Sequence, residues 1–90
     1  MDTEALRKDI ERSKGVLENY RSYGQFVVDA INAFTKLDEL IADPTEGNVS
    51  EALEIATEMN KQLSPYKGYV PQIAHTINEV LKWLQEKSGS

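Results

Sequence analysis

The chain is 90 residues long, with 15 acidic and 10 basic side chains, a formal net charge of −5 and no cysteine. That length suits one domain and not two, and the missing thiols exclude disulfide staples and cysteine chemistry. The ordinary apolar share of 40% argues against disorder, no run nears the ~18 apolar residues of a membrane span, and the opening MDTEALRKDIERSK lacks a secretory leader's pattern, so a cytoplasmic protein is expected.

Residues 3–21 carry Leu6, Ile10, Val16, Leu17 and Tyr20 on one helical stripe, with Ser13 inside it. The other faces hold charges that include the i,i+4 pairs Glu4–Lys8, Arg7–Glu11 and Lys14–Glu18. Gly15 costs this helix roughly 1 kcal/mol against alanine. Residues 25–42 are richer: Phe26, Val27, Ala30, Ile31, Ala33, Phe34, Leu37, Leu40 and Ile41 cover about half of a helix's circumference, the pattern of a central helix with more than one neighbour. Asp43-Pro44 stops it, because the residue before proline avoids the helical region.

DPTEGN, residues 43–48, reads as a loop, and NVSE as the start of the next helix, with Asn48 as cap and Glu51 reaching back in a capping box. Val49, Ala52, Leu53, Ile55, Ala56, Met59 and Leu63 then face inward over 49–63. SPYKGYVPQ forms an elbow in which Ser64 can cap a turn opening at Pro65 and Pro71 suits the first turn of a last helix. Residues 70–87 place Val70, Ile73, Ala74, Ile77, Val80, Leu81 and Leu84 within about a third of the circumference. Residues 88–90 have the composition of a flexible tail, leaving 1–87 as a single helical domain.

The junction NYRSYGQ decides the architecture. Positions 6, 10, 13, 17, 20, 24, 27, 31, 34, 38 and 41 keep a 4-3 spacing across it, which favours one helix of ~40 residues, ~60 Å long. Against this, Ser22 and Gln25 form a second S-x-x-Q box around Gly24. A 60 Å helix would also leave Leu6, Ile10, Leu17 and Tyr20 uncovered in a lone chain. The all-α reading is therefore an up-down bundle of four helices if the chain breaks near Ser22–Gly24. The alternative is three helices with a long first one, assembled as a dimer.

Charge is unevenly placed. Residues 1–21 balance five acids with five bases, whereas Lys36 to Lys61 encloses seven acids and no base. Such a surface repels phosphate, so nucleic-acid binding is not expected. Glu39, Asp43, Glu46, Glu51, Glu54 and Glu58 form a candidate acidic patch for a basic partner, or else a solvated face with acids at a helix N-terminus. The lone His75 projects away from the apolar stripe, with no ligand partners at metal spacing. Asp38 and Asn60 interrupt apolar faces and can fix helix register if buried and bonded. Asp43 to Glu54 is a poor match to a calcium loop, with proline second and glycine fifth. NVS fits a glycosylation acceptor but lacks a secretory leader.

Tyr20 and Tyr23 border one junction, and Tyr66 and Tyr69 the elbow; an alternating bundle brings both to the same end. There the rings either plug the bundle or offer a recognition surface. Trp83 lies beside the last stripe, as core edge or interface anchor. With no catalytic, cofactor or metal constellation, elimination leaves a non-enzymatic module that binds another protein through these rings or the charged face of the first helix. Two alternatives are a compact acidic regulator, immunity- or antitoxin-like, and a self-assembling structural subunit.

Overall fold

The computed structural model describes residues 3–89, and all of their regular structure is helical. We label the long helices α1 (Thr3–Glu18), α2 (Gln25–Ala42), α3 (Glu46–Leu63) and α4 (Pro71–Gly89). Two short 3-10 turns, Arg21–Tyr23 and Ser64–Tyr66, follow α1 and α3. Each long helix packs on its chain neighbours, and α4 packs on α1 and closes the ring. Helices of 16 to 19 residues are about 24–28 Å long and fit a body 39 × 21 × 19 Å in extent. This is the four-helix bundle of the sequence reading, and the continuous first helix of its alternative does not form.

Gly24 makes the break. Its φ of 151° and ψ of 172° lie where side-chain-bearing residues rarely go, and it is the positive-φ glycine of the described chain. A Cβ there would stand 3.3 Å from Cδ1 of Phe26. The Ser22–Gln25 capping box is not used. Gly24 itself caps α2 with no side-chain bond, and the Gln25 amide donates instead to Asp29 Oδ1 at 3.0 Å. α1 stops at Glu18, earlier than expected, because Asn19 and Tyr20 turn back on Val16 and Leu17 through i→i−3 bonds.

The α2–α3 link is shorter than the expected loop. α3 starts at Glu46, since the Thr45 hydroxyl accepts from the Asn48 N–H at 3.2 Å. Asn48 is therefore not the cap; its side-chain amide donates to the Asp43 carbonyl at 2.8 Å and fastens the turn. Ser64 begins the elbow's 3-10 turn without capping it, with Pro65 in the first turn. α4 runs through Lys87, Ser88 and Gly89, so residues 88 and 89 are helical, not a tail; Ser90 lies outside the described residues.

One apolar cluster runs through all four helices, with Leu6, Ile10, Phe34, Leu37, Ala56, Val80 and Leu84 wholly buried. Removing a ring such as Phe34 from water contributes about 1.5–3 kcal/mol. α4 buries Thr76 and Trp83, while Ala74 and Leu81 lie at the edge of the core. Its inward face is thus centred slightly off the expected stripe, because α4 meets α1 as well as α3. Trp83 is 4% exposed and belongs to the core, which corrects its reading as an edge or anchor residue. Phe26 departs the other way: expected inside, it is 43% exposed.

Two hydroxyls sit in this core at zero exposure. Ser13 Oγ donates to Thr76 Oγ1 at 2.8 Å, across the α1–α4 seam. The Gln72 amide donates to the same oxygen at 3.1 Å, and Thr76 Oγ1 reaches the Asp9 carbonyl at 3.4 Å. Burial is tolerable here because every hydroxyl has a partner. Replacing Thr76 by valine keeps the volume but strands the donors of Ser13 and Gln72. We expect Thr76→Val to cost about 1–3 kcal/mol in urea unfolding. The double variant S13A/T76V should cost less than the sum of its single variants, by about 0.5 kcal/mol or more.

Candidate functional site

The α1–α2 junction and the α3–α4 elbow lie at one end of the bundle, and their aromatic rings converge. Tyr20 follows α1, Tyr23 closes the first 3-10 turn, and Phe26 stands in the first turn of α2. Tyr66 ends the second 3-10 turn, and Tyr69 sits in the bend before α4. Between them opens a cleft of ≈430 Å³ floored by Leu17, Val27, Leu63, Val70 and Ile73. That is within the range of ligand-binding clefts, and its floor is the end of the hydrophobic core.

The rings are held in pairs. Tyr20 and Tyr23 meet edge-to-face with centroids 5.2 Å apart. Phe26 and Tyr66 stack across the α2–α3 seam at 5.1 Å and 16°. Such pairs contribute about 0.5–1.5 kcal/mol beyond their burial, so the walls are preorganised. The stack also separates the end cleft from a groove along α2 and α3 that Ala30, Ala33 and Met59 help to line. Tyr23 is 71% exposed and Tyr69 81%, far more than a plug for the bundle end requires.

Charge borders the cleft without entering it. Arg21 Nε and Nη2 donate to the Glu18 carboxylate at 2.9 and 3.1 Å. These hydrogen bonds hold the Glu18 carboxyl below its ordinary value and raise Arg21 above its own. Both side chains are about half exposed, so water screens the pair.

The sequence had placed Tyr20, Tyr23, Tyr66 and Tyr69 together, and the structure brings all four around this cleft. Trp83 is not among them; it is buried further along α4, bordered by Glu79, Lys82 and Glu86, with Lys87 Nζ 5.5 Å from its ring centroid. Phe26 was missed as a site residue, since its place in the α2 stripe reads as core. The signal that could have found it is its position two residues after Gly24, where the chain has only just turned.

The six candidate acids Glu39, Asp43, Glu46, Glu51, Glu54 and Glu58 are all exposed. Lys36 reaches Glu51 at 3.8 Å and offsets its charge from within the fold, and Glu58 accepts from the neutral Gln62 amide at 3.0 Å. Among the described residues no three His, Asp or Glu side chains gather as a metal site. The calcium-loop resemblance fails because Glu46 to Glu54 is helical. His75 is exposed, and Asn60 is half-buried. Asp38 is also half-buried, and it accepts from Arg7 Nε at 2.8 Å and Nη2 at 3.3 Å, tying α2 to α1. No helix among the described residues is long and apolar enough to cross a membrane. Comparison of the chain with protein-family models, with curated proteins and with solved structures found no match in any of the three.

The Glu18–Arg21 pair gives a pH signature at the edge of the cleft. A carboxyl held low in the folded chain adds stability that is present above its unfolded value and is lost as pH falls through its folded one. We expect the Glu18 side-chain carbon, followed by NMR, to titrate below 4.5, and Arg21→Ala to move that midpoint back toward 4.5. Identical midpoints in the two proteins would contradict the geometry of this pair.

Proposed function

We propose that the chain is a cytoplasmic, non-enzymatic helical module that binds another protein through the aromatic cleft. The observation carrying this reading is the exposure of five large rings around an opening whose floor is continuous with the core. Long apolar stripes elsewhere on the helices are covered by neighbouring helices, so this end offers the molecule's concentrated apolar surface. Tyrosine is well suited to such contact, because it presents a rigid ring and a polar tip at little cost in conformational entropy. A partner would insert one or two apolar side chains between the tyrosine pairs and leave their hydroxyls at the wet rim. The acidic face of α3 supports the competing regulator reading less well, since Lys36 offsets part of its charge.

Selection from a displayed random-peptide library tests this without a known partner. Enriched peptides should shift backbone amide signals of residues 17–27 and 63–73. Tyr69→Ala, at an exposed position outside both ring pairs, should leave the unfolding midpoint unchanged and weaken binding tenfold or more, the scale of a hot-spot ring. Tyr23→Ala should weaken binding likewise and lower stability by about the 0.5–1.5 kcal/mol of its pair with Tyr20. Affinity should change little between low and high salt, because the contact is apolar. Binders that shift residues 46–58 and weaken steeply with salt would favour the acidic regulator and overturn the cleft assignment.

A further inference from the structure

The connection between α1 and α2 differs from the other two in a way that bears on assembly. The α2–α3 link contains Pro44, and the α3–α4 elbow contains Pro65 and leads into Pro71. Neither can straighten into a continuous helix, because proline lacks the N–H and clashes with the preceding turn. Residues 19–24 contain no proline. The bonds that shape them are local i→i−3 bonds: Asn19 to Val16, Tyr20 to Leu17, Tyr23 to Tyr20, and Val27 to Gly24. The Tyr20–Tyr23 contact and the Glu18–Arg21 pair are equally local. Rotating Gly24 from φ 151° into the helical region and moving each bond one residue on would extend α1 straight into α2.

The core faces on the two sides of this junction are already in phase for such a helix. Leu6, Ile10, Ser13 and Leu17 are buried on α1, and Val27, Ile31, Phe34 and Ile41 on α2. These fall on one 4-3 spacing, which also passes through Tyr20, Gly24 and Asp38. An opened single chain, however, would expose the α1 stripe and strip Thr76 of its Ser13 and Asp9 partners. A second copy of the same chain, opened in the same way, supplies the missing helix with the same Arg7–Asp38 and Ser13–Thr76 partners.

We propose that Tyr20–Gly24 is an exchange hinge, and that two copies of this chain trade their first helices to form a dimer in which residues 3–42 run as one helix. In that dimer the Arg7–Asp38 and Ser13–Thr76 bonds form between chains, and the four-helix core is rebuilt twice. Gly24 sets the balance. It permits the tight turn of the closed form and weakens the straight helix of the open one. Exchange needs no partner at the aromatic cleft, although an occupied cleft would favour the closed form.

Gly24→Ala tests the hinge. Alanine is strained at the closed φ and favoured in the helix, and each dimer contains two such positions. Light scattering across a concentration series should give a dimer whose dissociation constant is lower than the native chain's by about 100-fold or more. Gly15→Ala, which raises helix propensity at a site with no atom near its Cβ, should leave the oligomeric state unchanged. A monomeric Gly24→Ala protein would overturn the proposal.

A second measurement uses the native hinge and an exposed ion pair, so it does not depend on how Gly24→Ala folds. R7D and D38R each place like charges together in a closed monomer or in a homodimer. Refolded together at high concentration, they restore both Arg–Asp pairs only by exchanging α1. Native mass spectrometry with one variant isotopically labelled should then show the mixed dimer in excess over the two homodimers. A mixture that stays monomeric, or dimers in random 1:2:1 proportion, would overturn the exchange.

Discussion

The backbone at Gly24 turns with φ 151°, and the covering of the apolar stripe of α1 within the chain depends on that turn. Without it, residues 3–42 would form a rod about 60 Å long, more than twice the reach of α3 or α4. Leu6, Ile10 and Leu17 would then have no helix to face within the chain. With it, α1 lies against α2 on one side and α4 on the other, and the ring of four closes. Closure then sets register. Ser13 and Thr76 are both wholly buried, and the Ser13 hydroxyl finds its partner in Thr76 across the α1–α4 seam. A slide of α1 by one turn would break that bond together with the Arg7–Asp38 pair. The turn, the closure and the register are thus one linked condition.

The two ends of the bundle are finished differently. At one end α2 passes to α3 through Asp43, Pro44 and Thr45, with the threonine hydroxyl and the Asn48 amide satisfying local backbone groups. Polar side chains complete this turn and no large ring is needed. At the other end two longer junctions, 19–24 and 64–70, meet. Each contains a 3-10 turn, and each carries a pair of tyrosines. The rings of Phe26 and Tyr66 bridge them by stacking. The exposed apolar surface is concentrated there because the helix sides have already been consumed by their neighbours.

What could be read from the sequence follows from which forces are periodic. Helical faces repeat every 3.6 residues, so the four helices and nearly all of the core were legible from Leu6 to Leu84. The convergence of four tyrosines followed from alternation alone. Local polar competition was harder to read. Thr45 and Asn48 can each cap α3, and the choice turns on the Asp43 carbonyl, which only the folded turn places within reach of the Asn48 amide. Gln25 had two possible partners and took Asp29. Tertiary geometry was not legible at all where one helix meets two others. Thr76 and Trp83 turn inward because α4 faces α1 as well as α3, and Phe26, in the first turn of α2 just after Gly24, turns outward.

The residue that closes the fold also builds the cleft. Tyr20, Tyr23 and Phe26 lie within four positions of Gly24, and the direction of that turn decides where their rings go. Tyr66 and Tyr69, fixed by the proline-bearing elbow, supply the opposite wall. A ligand seated between the two walls would contact both sides of the turn and so stabilise the closed arrangement of α1 by mass action. Any process that straightens the junction moves Tyr20 and Tyr23 away from the Tyr66 and Tyr69 of their own chain. The recognition proposed at the cleft and the exchange proposed at Tyr20–Gly24 draw on the same few residues, so an occupied cleft would bias how two copies of the chain share their helices.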